Sequence, residues 1–162
     1  MRVPRDTLTE SGDACAHLRE LGARTIVVDV EPLVADWNSD QAALDAGLRR
    51  FLALVGGLDA VVLFATNSRR RPSPSPEGGP GPRPHYLASA VKPLRTRAYR
   101  GLPRPGVVLG DQVATDGLLA WRLGYAFLHY RPPGPVPLGT ALMRLVGRPL
   151  EPLLFTATAG GN

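Results

Sequence analysis

Cysteine is almost missing from this chain: Cys15 is the single one among 162 residues. That excludes an intrachain disulfide and a cysteine metal cluster, and leaves an inert thiol. No apolar run approaches the ~20 residues that span a bilayer, and Met1-Arg2-Val3-Pro4-Arg5-Asp6 has no apolar stretch of the secretory kind. A cytoplasmic protein is expected. Acids are scarce in one long stretch, since Arg69 to Arg104 contains nine Lys/Arg against Glu77 alone. This stretch reads as a solvated basic face or as attraction for an anionic substrate or the inner face of a membrane. Interleaved aromatics and binding motifs are both lacking there, so nucleic acid is not an expected partner. His17, His85 and His129 have no metal-ligand spacing and are assigned structural roles.

Proline and glycine, by contrast, are plentiful. The run PSPSPEGGPGPRP (72–84) removes amide donors and raises the entropy cost of order, so it predicts a flexible loop. A proline-rich ligand for a partner protein is the lesser reading of that loop. The length, with 44% hydrophobic content, fits one domain over 1–162 with a full core. Strands are expected near 24–30, 59–65, 86–90, 106–110 and 125–130, with helices over 11–21, 40–55, 93–101, 114–123 and 138–148. This alternation predicts an α/β fold, a mostly parallel five-stranded sheet covered by helices on both faces. The second helix has the clearest limits: Asn38, Ser39 or Asp40 can cap it, and Gly56-Gly57 ends it.

Two apolar runs end in acids. Thr25-Ile26-Val27-Val28 leads into Asp29-Val30-Glu31, and Gly106-Val107-Val108-Leu109 leads into Gly110-Asp111, with Asp116 five residues on. Acids past strand ends lie in the crevice where open α/β sheets bind ligands. In extended backbone, Asp29 and Glu31 leave the same face. A close set of carboxylates repels itself unless a cation or a proton joins it. Magnesium, which takes octahedral oxygen ligation from a few carboxylates, waters and substrate phosphate, is the expected cofactor. Phosphoryl chemistry follows from that expectation.

Four segments resemble the haloacid-dehalogenase-like (HAD) superfamily of phosphotransferases, and within it the small YqeG-type branch related to phosphatidylglycerophosphate phosphatases. They are TIVVDVEPLVADWNS (25–39), VVLFATNSRR (61–70), ASAVKPLRTRAYR (88–100) and GVVLGDQVATDGLLAWRLGY (106–125). The resemblance covers most of the chain in order and spacing. It implies a Rossmannoid three-layer sandwich without a large cap domain, and a magnesium-dependent phosphomonoesterase.

The resemblance also implies residue roles. Asp29 matches the nucleophile that becomes an aspartyl phosphate, and Glu31 matches the acid/base position, its backbone carbonyl facing the metal. Thr66 matches the hydroxyl on a phosphoryl oxygen, helped by the amides of Asn67 and Ser68, and Lys92 matches the charge-neutralising lysine. Asp111 and Asp116 match the metal-holding acids. Each has a plainer reading: a strand-end cap for Asp29, a helix N-terminal acid for Asp116 and a local backbone hydrogen bond for Thr66. Trp37 is a candidate for the site entrance. The implied substrate is a phospholipid or a small-metabolite phosphate, with peripheral membrane contact through the basic stretch and the terminal helix.

The family pattern is broken at Glu31, where an aspartate is usual, and at Leu33, which replaces a threonine. Glutamate carries the same proton chemistry, but its extra methylene displaces the carboxyl. The alternative is therefore a catalytically impaired relative serving as a binding or scaffolding module. A receiver-type phosphoprotein ranks last, because its acids occur in a different order.

Overall fold

The computed structural model describes residues 2–73 and 85–157. Seven parallel strands form one sheet in the order β4-β3-β2-β5-β6-β1-β7. They are β1 (Val3–Leu8), β2 (Thr25–Val28), β3 (Val61–Ala65), β4 (His85–Leu87), β5 (Gly106–Gly110), β6 (Ala126–Tyr130) and β7 (Phe155–Ala157). The helices are α1 (Ala14–Glu20), α2 (Gln41–Val55), α3 (Leu118–Leu123), α4 (Leu138–Gly147) and the single turn α5 (Glu151–Leu154).

The central strands β2, β3 and β5 are near-continuous apolar runs because both faces are covered, as parallel sheets require. Every residue of β2 and β5 is buried. On one face Ile26, Val28, Phe64, Val107, Leu109 and Leu128 pack with Leu18 of α1 and Leu44, Leu48, Phe51 and Val55 of α2. On the other, Val27, Leu63, Ala65, Val108 and Phe127 pack with Leu119 and Ala120 of α3, Tyr99, Tyr125 and Leu154. Each fully buried aliphatic side chain contributes about 1.5–3 kcal/mol, so these two layers hold the strand ends rigid. α2 starts at Asp40, whose side chain accepts from Ala43 N at 2.8 Å, and stops at Gly56. Its Gly47 lies against the turn after β2, where a Cβ would meet Val34 O at 2.0 Å.

From β2 the chain builds outward through β3 to β4, then crosses back and builds the other way through β5 and β6. The order reverses between β2 and β5, and open α/β sheets bind ligands outside the strand ends at such a reversal. Asp29 and Asp111 follow those two strands directly.

Three expectations are corrected. The sheet has seven strands rather than five, because β1 adds to β6 and β7 adds to β1. β1 hides its strand character behind Arg5 and Asp6, charges met by Glu151 and His17 respectively. The helix over 93–101 is instead a series of turns with one 3₁₀ turn, Arg97–Tyr99. Only Tyr99 of that turn is buried, too little apolar surface to hold a helix against the sheet. The helix over 114–123 opens with a π-helical turn, Val113–Gly117, before α3. The loop expected over 72–84 lies outside the described residues from 74 onward.

Candidate active site

Two strand ends and one helical turn deliver the acids. The Asp29 amide continues the β2–β5 ladder by donating to Leu109 O at 2.8 Å, which fixes this residue beside β5. Asp111 follows the last residue of β5. Asp116 comes from the π-helical turn, and Gly110 makes room for it, since a Cβ there would lie 2.4 Å from Asp116 Cγ. One carboxylate oxygen from each of Asp29, Asp111 and Asp116 lies within 4.8 Å of the other two.

Lys92 is buried among them, with Nζ 2.7 Å from Asp29 Oδ1 and 2.7 Å from Asp116 Oδ1. Its backbone is clamped by the Asn67 side chain: Lys92 N donates to Asn67 Oδ1 at 2.7 Å, and Asn67 Nδ2 donates to Lys92 O at 3.2 Å. Ser89 and Val91, with φ of 52° and 53°, carry the chain into this position. A left-handed conformation at a β-branched residue costs about 1–3 kcal/mol, so the segment is held against local preference beside Lys92.

Asp111 is fully buried, and neither of its carboxylate oxygens has a hydrogen-bond partner. Arg144 of α4 approaches Oδ2 at 3.6 Å, a charge contact too long for a hydrogen bond. Behind it, His129 Nε2 lies 3.2 Å from Asp111 O and Nδ1 lies 2.9 Å from Arg5 Nη2. Arginine can only donate, so Nδ1 accepts and Nε2 donates to the carbonyl. Burial, with Arg5 and Arg131 nearby, pushes the His129 pKa down to about 4. A neutral, structural histidine results.

The electrostatics show a surplus of negative charge. Burial, followed by the charge of Asp116, raises Asp111 to about 7. The same two causes, in the same order, hold Asp29 well above the usual carboxylate range, although Lys92 works against them. Burial disfavours the Lys92 charge, but Asp116 and then Asp29 outweigh it, and the ammonium is held above its ordinary range. Asp111's buried oxygens without partners, and a donor set made wholly of carboxylate oxygen, fit a hard divalent cation.

Glu31 sits apart from the three acids. Its Oε2 accepts from Thr66 Oγ1 at 2.7 Å, while Ser68 Oγ and Arg70 Nη1 approach Oε1 at 3.5 Å each. Ser68 N is spent on Thr66 Oγ1 at 3.0 Å, so it is not a free donor as expected. Asp29, Glu31, Thr66, Asn67, Ser68 and Arg70 line a cavity of about 250 Å³ together with Trp37, Gln112 and Thr115.

Asp116 Oδ2 accepts from Gln112 N and Thr115 Oγ1, each at 3.3 Å, while Oδ1 faces Lys92. Arg70, Arg144 and the Asn67 clamp escaped sequence reasoning. The short spacing TNSRR after an apolar strand could have drawn attention to Arg70, but nothing local links Arg144 to Asp111. Comparison with protein-family models, curated proteins and solved structures finds no match.

Proposed function

We propose that the protein is a magnesium-dependent phosphomonoester hydrolase of the HAD type, working through an aspartyl phosphate on Asp29 and acting on a phospholipid or small-metabolite phosphate. The observation that carries this reading is the convergence of Asp29, Asp111 and Asp116 within 4.8 Å at the sheet's reversal point. Magnesium, held by these three acids with the Glu31 backbone carbonyl, supplies the positive charge that lets a carboxylate approach a phosphate.

The chain's own residues divide the remaining work. Lys92 fixes Asp29 through Oδ1 and offsets the charge of the transferring group. An oxygen of Asp29 attacks phosphorus, the ester P–O bond breaks, and Glu31 gives its proton to the leaving oxygen. Water then attacks the acyl phosphate, Glu31 takes the water's proton, and phosphate leaves with the Asp29 carboxylate restored. Thr66 donates to a phosphoryl oxygen once its hydroxyl leaves Glu31, and Asn67 holds Lys92 in register.

Among the described residues no helix is long and apolar enough to cross a membrane. α4, however, exposes Leu138, Leu142, Leu145 and Val146, spaced to form one stripe. Such a stripe supports peripheral contact with the inner face of a membrane, hence a lipid substrate reached from the cytoplasm.

A second reading, a binding or scaffolding module with impaired catalysis, draws on Glu31, whose carboxyl is occupied by Thr66, Ser68 and Arg70. Hydrolysis of an aryl phosphate with Mg²⁺ separates the two. The enzyme reading predicts turnover in the wild type that is lost in Asp29→Asn; equal background rates in both proteins assign the binding module.

A further inference from the structure

A second cavity, of about 330 Å³, lies at the other end of the sheet, lined by Arg100, Arg104 and Arg122 with Tyr99 and Tyr125 among others. We propose that it binds a phosphate-bearing anion at a site separate from the acid cluster. Its place is fixed by β5. Arg104 lies two residues before the first residue of that strand, and the Tyr125 ring fills the space where a Cβ on Gly106 would lie, 2.4 Å from the ring. Asp111 follows the far end of the same strand, and five residues at ~3.3 Å each set the two sites about 16 Å apart along it. A phosphate here is not the phosphate at Asp29.

The lining is all of one sign. Among the described residues no acid lines the cavity, so three arginines border one concavity without a carboxylate beside them. Two of the three are held in place. Arg104 Nη2 donates to Leu123 O at 2.7 Å, and its guanidinium lies 5.2 Å over the Tyr125 ring centroid. Arg122 Nη1 donates to Pro93 O at 2.7 Å and Leu94 O at 3.1 Å. A guanidinium has five N–H donors, so both keep donors to spare. Arg100 is exposed, and its side chain makes no hydrogen bond or ion pair among the described residues. Planar forks fixed in this way match phosphate oxygens two at a time.

The cavity volume falls at the small end of ligand pockets, which fits a phosphate with a modest organic group rather than a large one.

Calorimetric titration of pyrophosphate into the full chain in EDTA tests the assignment. Wild type, Asp29→Asn and the charge control Arg50→Glu are expected to bind alike, whereas Arg100→Glu and Arg104→Gln lose about tenfold or more in affinity. Unchanged binding in both cavity variants, loss confined to Asp29→Asn, or no binding to the wild type overturns it. Because the exposed Arg100 side chain makes no hydrogen bond or ion pair, its variant is expected to keep the fold, which circular dichroism checks. Sedimentation with phosphatidylcholine vesicles, with and without phosphatidic acid, then separates the sources of the phosphate. Sedimentation that needs phosphatidic acid and fails in Arg100→Glu assigns a lipid headgroup; pyrophosphate binding without sedimentation assigns a soluble phosphate.

Discussion

Thr66 Oγ1 donates to Glu31 Oε2 across 2.7 Å, joining a hydroxyl and a carboxyl that the proposed chemistry needs separately. Glu31→Gln keeps an oxygen for Thr66 but cannot move a proton, so kcat is expected to fall by about 10²–10⁴. Glu31→Asp draws the carboxyl back by one methylene and frees Thr66, so kcat/KM is expected to hold or rise. Steady-state hydrolysis of an aryl phosphate reads both, and a Glu31→Gln rate equal to wild type removes Glu31 from the mechanism.

Lys92 bridges Asp29 and Asp116 at 2.7 Å each. Lys92→Met leaves those acids facing one another in a buried site. Loss of one partner from such a network costs about 3–5 kcal/mol. Urea unfolding in EDTA should show that loss near neutral pH, and added Mg²⁺ should recover much of it. A variant as stable as wild type in EDTA contradicts the bridging role.

Gly110 touches Asp116 so closely that a Cβ would sit 2.4 Å from its Cγ. Both neighbours belong to packed elements, so Gly110→Ala is expected to destabilise by about 1–3 kcal/mol and to weaken Mg²⁺ binding through Asp116. Urea unfolding with and without Mg²⁺ checks both effects. Gly117→Ala, whose nearest contact is Phe155 at 3.0 Å, serves as a packing control that leaves the acids in place.

Asp111 has a folded pKa raised to about 7 from an ordinary value near 3.8. Between these values the folded protein keeps a proton that the unfolded chain has released, so stability falls as pH rises through this window and is level above it. His129, lowered to about 4, acts in the opposite direction below 6.5. Comparing Asp111→Asn with wild type cancels that contribution. In EDTA the stability gained by Asp111→Asn is expected to grow from pH 4 to pH 7 and reach on the order of 4 kcal/mol. Thermal unfolding across this range measures it; a gain independent of pH contradicts a buried, destabilised carboxylate.

The acids of the site were legible because apolar strands that stop at an acid place it at a sheet edge, and Asp29 and Asp111 obey that rule. The α2 limits were legible from Asp40 and Gly56, whose chemistry is local. β1 and β7 were not. Pro4, Arg5 and Asp6 obscure the strand pattern until His17, His129 and Glu151, all distant in sequence, are seen to meet the charges. The segment after Lys92 was expected to be a helix over 93–101, yet it has too few apolar residues to pack one. Arg144 and the Asn67 clamp act across 33 and 25 residues of chain, so only the folded protein brings them to Asp111 and Lys92. The Thr66–Glu31 bond was hidden for the same reason: each was assigned to the substrate, and the structure gives them to one another.

The central claim is that three acids from two strand ends and a helical turn share one divalent ion. Calorimetric titration of Mg²⁺ into metal-free protein tests it most directly, with Asp111→Asn as the comparison. The account predicts one ion per chain for wild type and none for the variant; equal binding in the two proteins, or none in wild type, contradicts it.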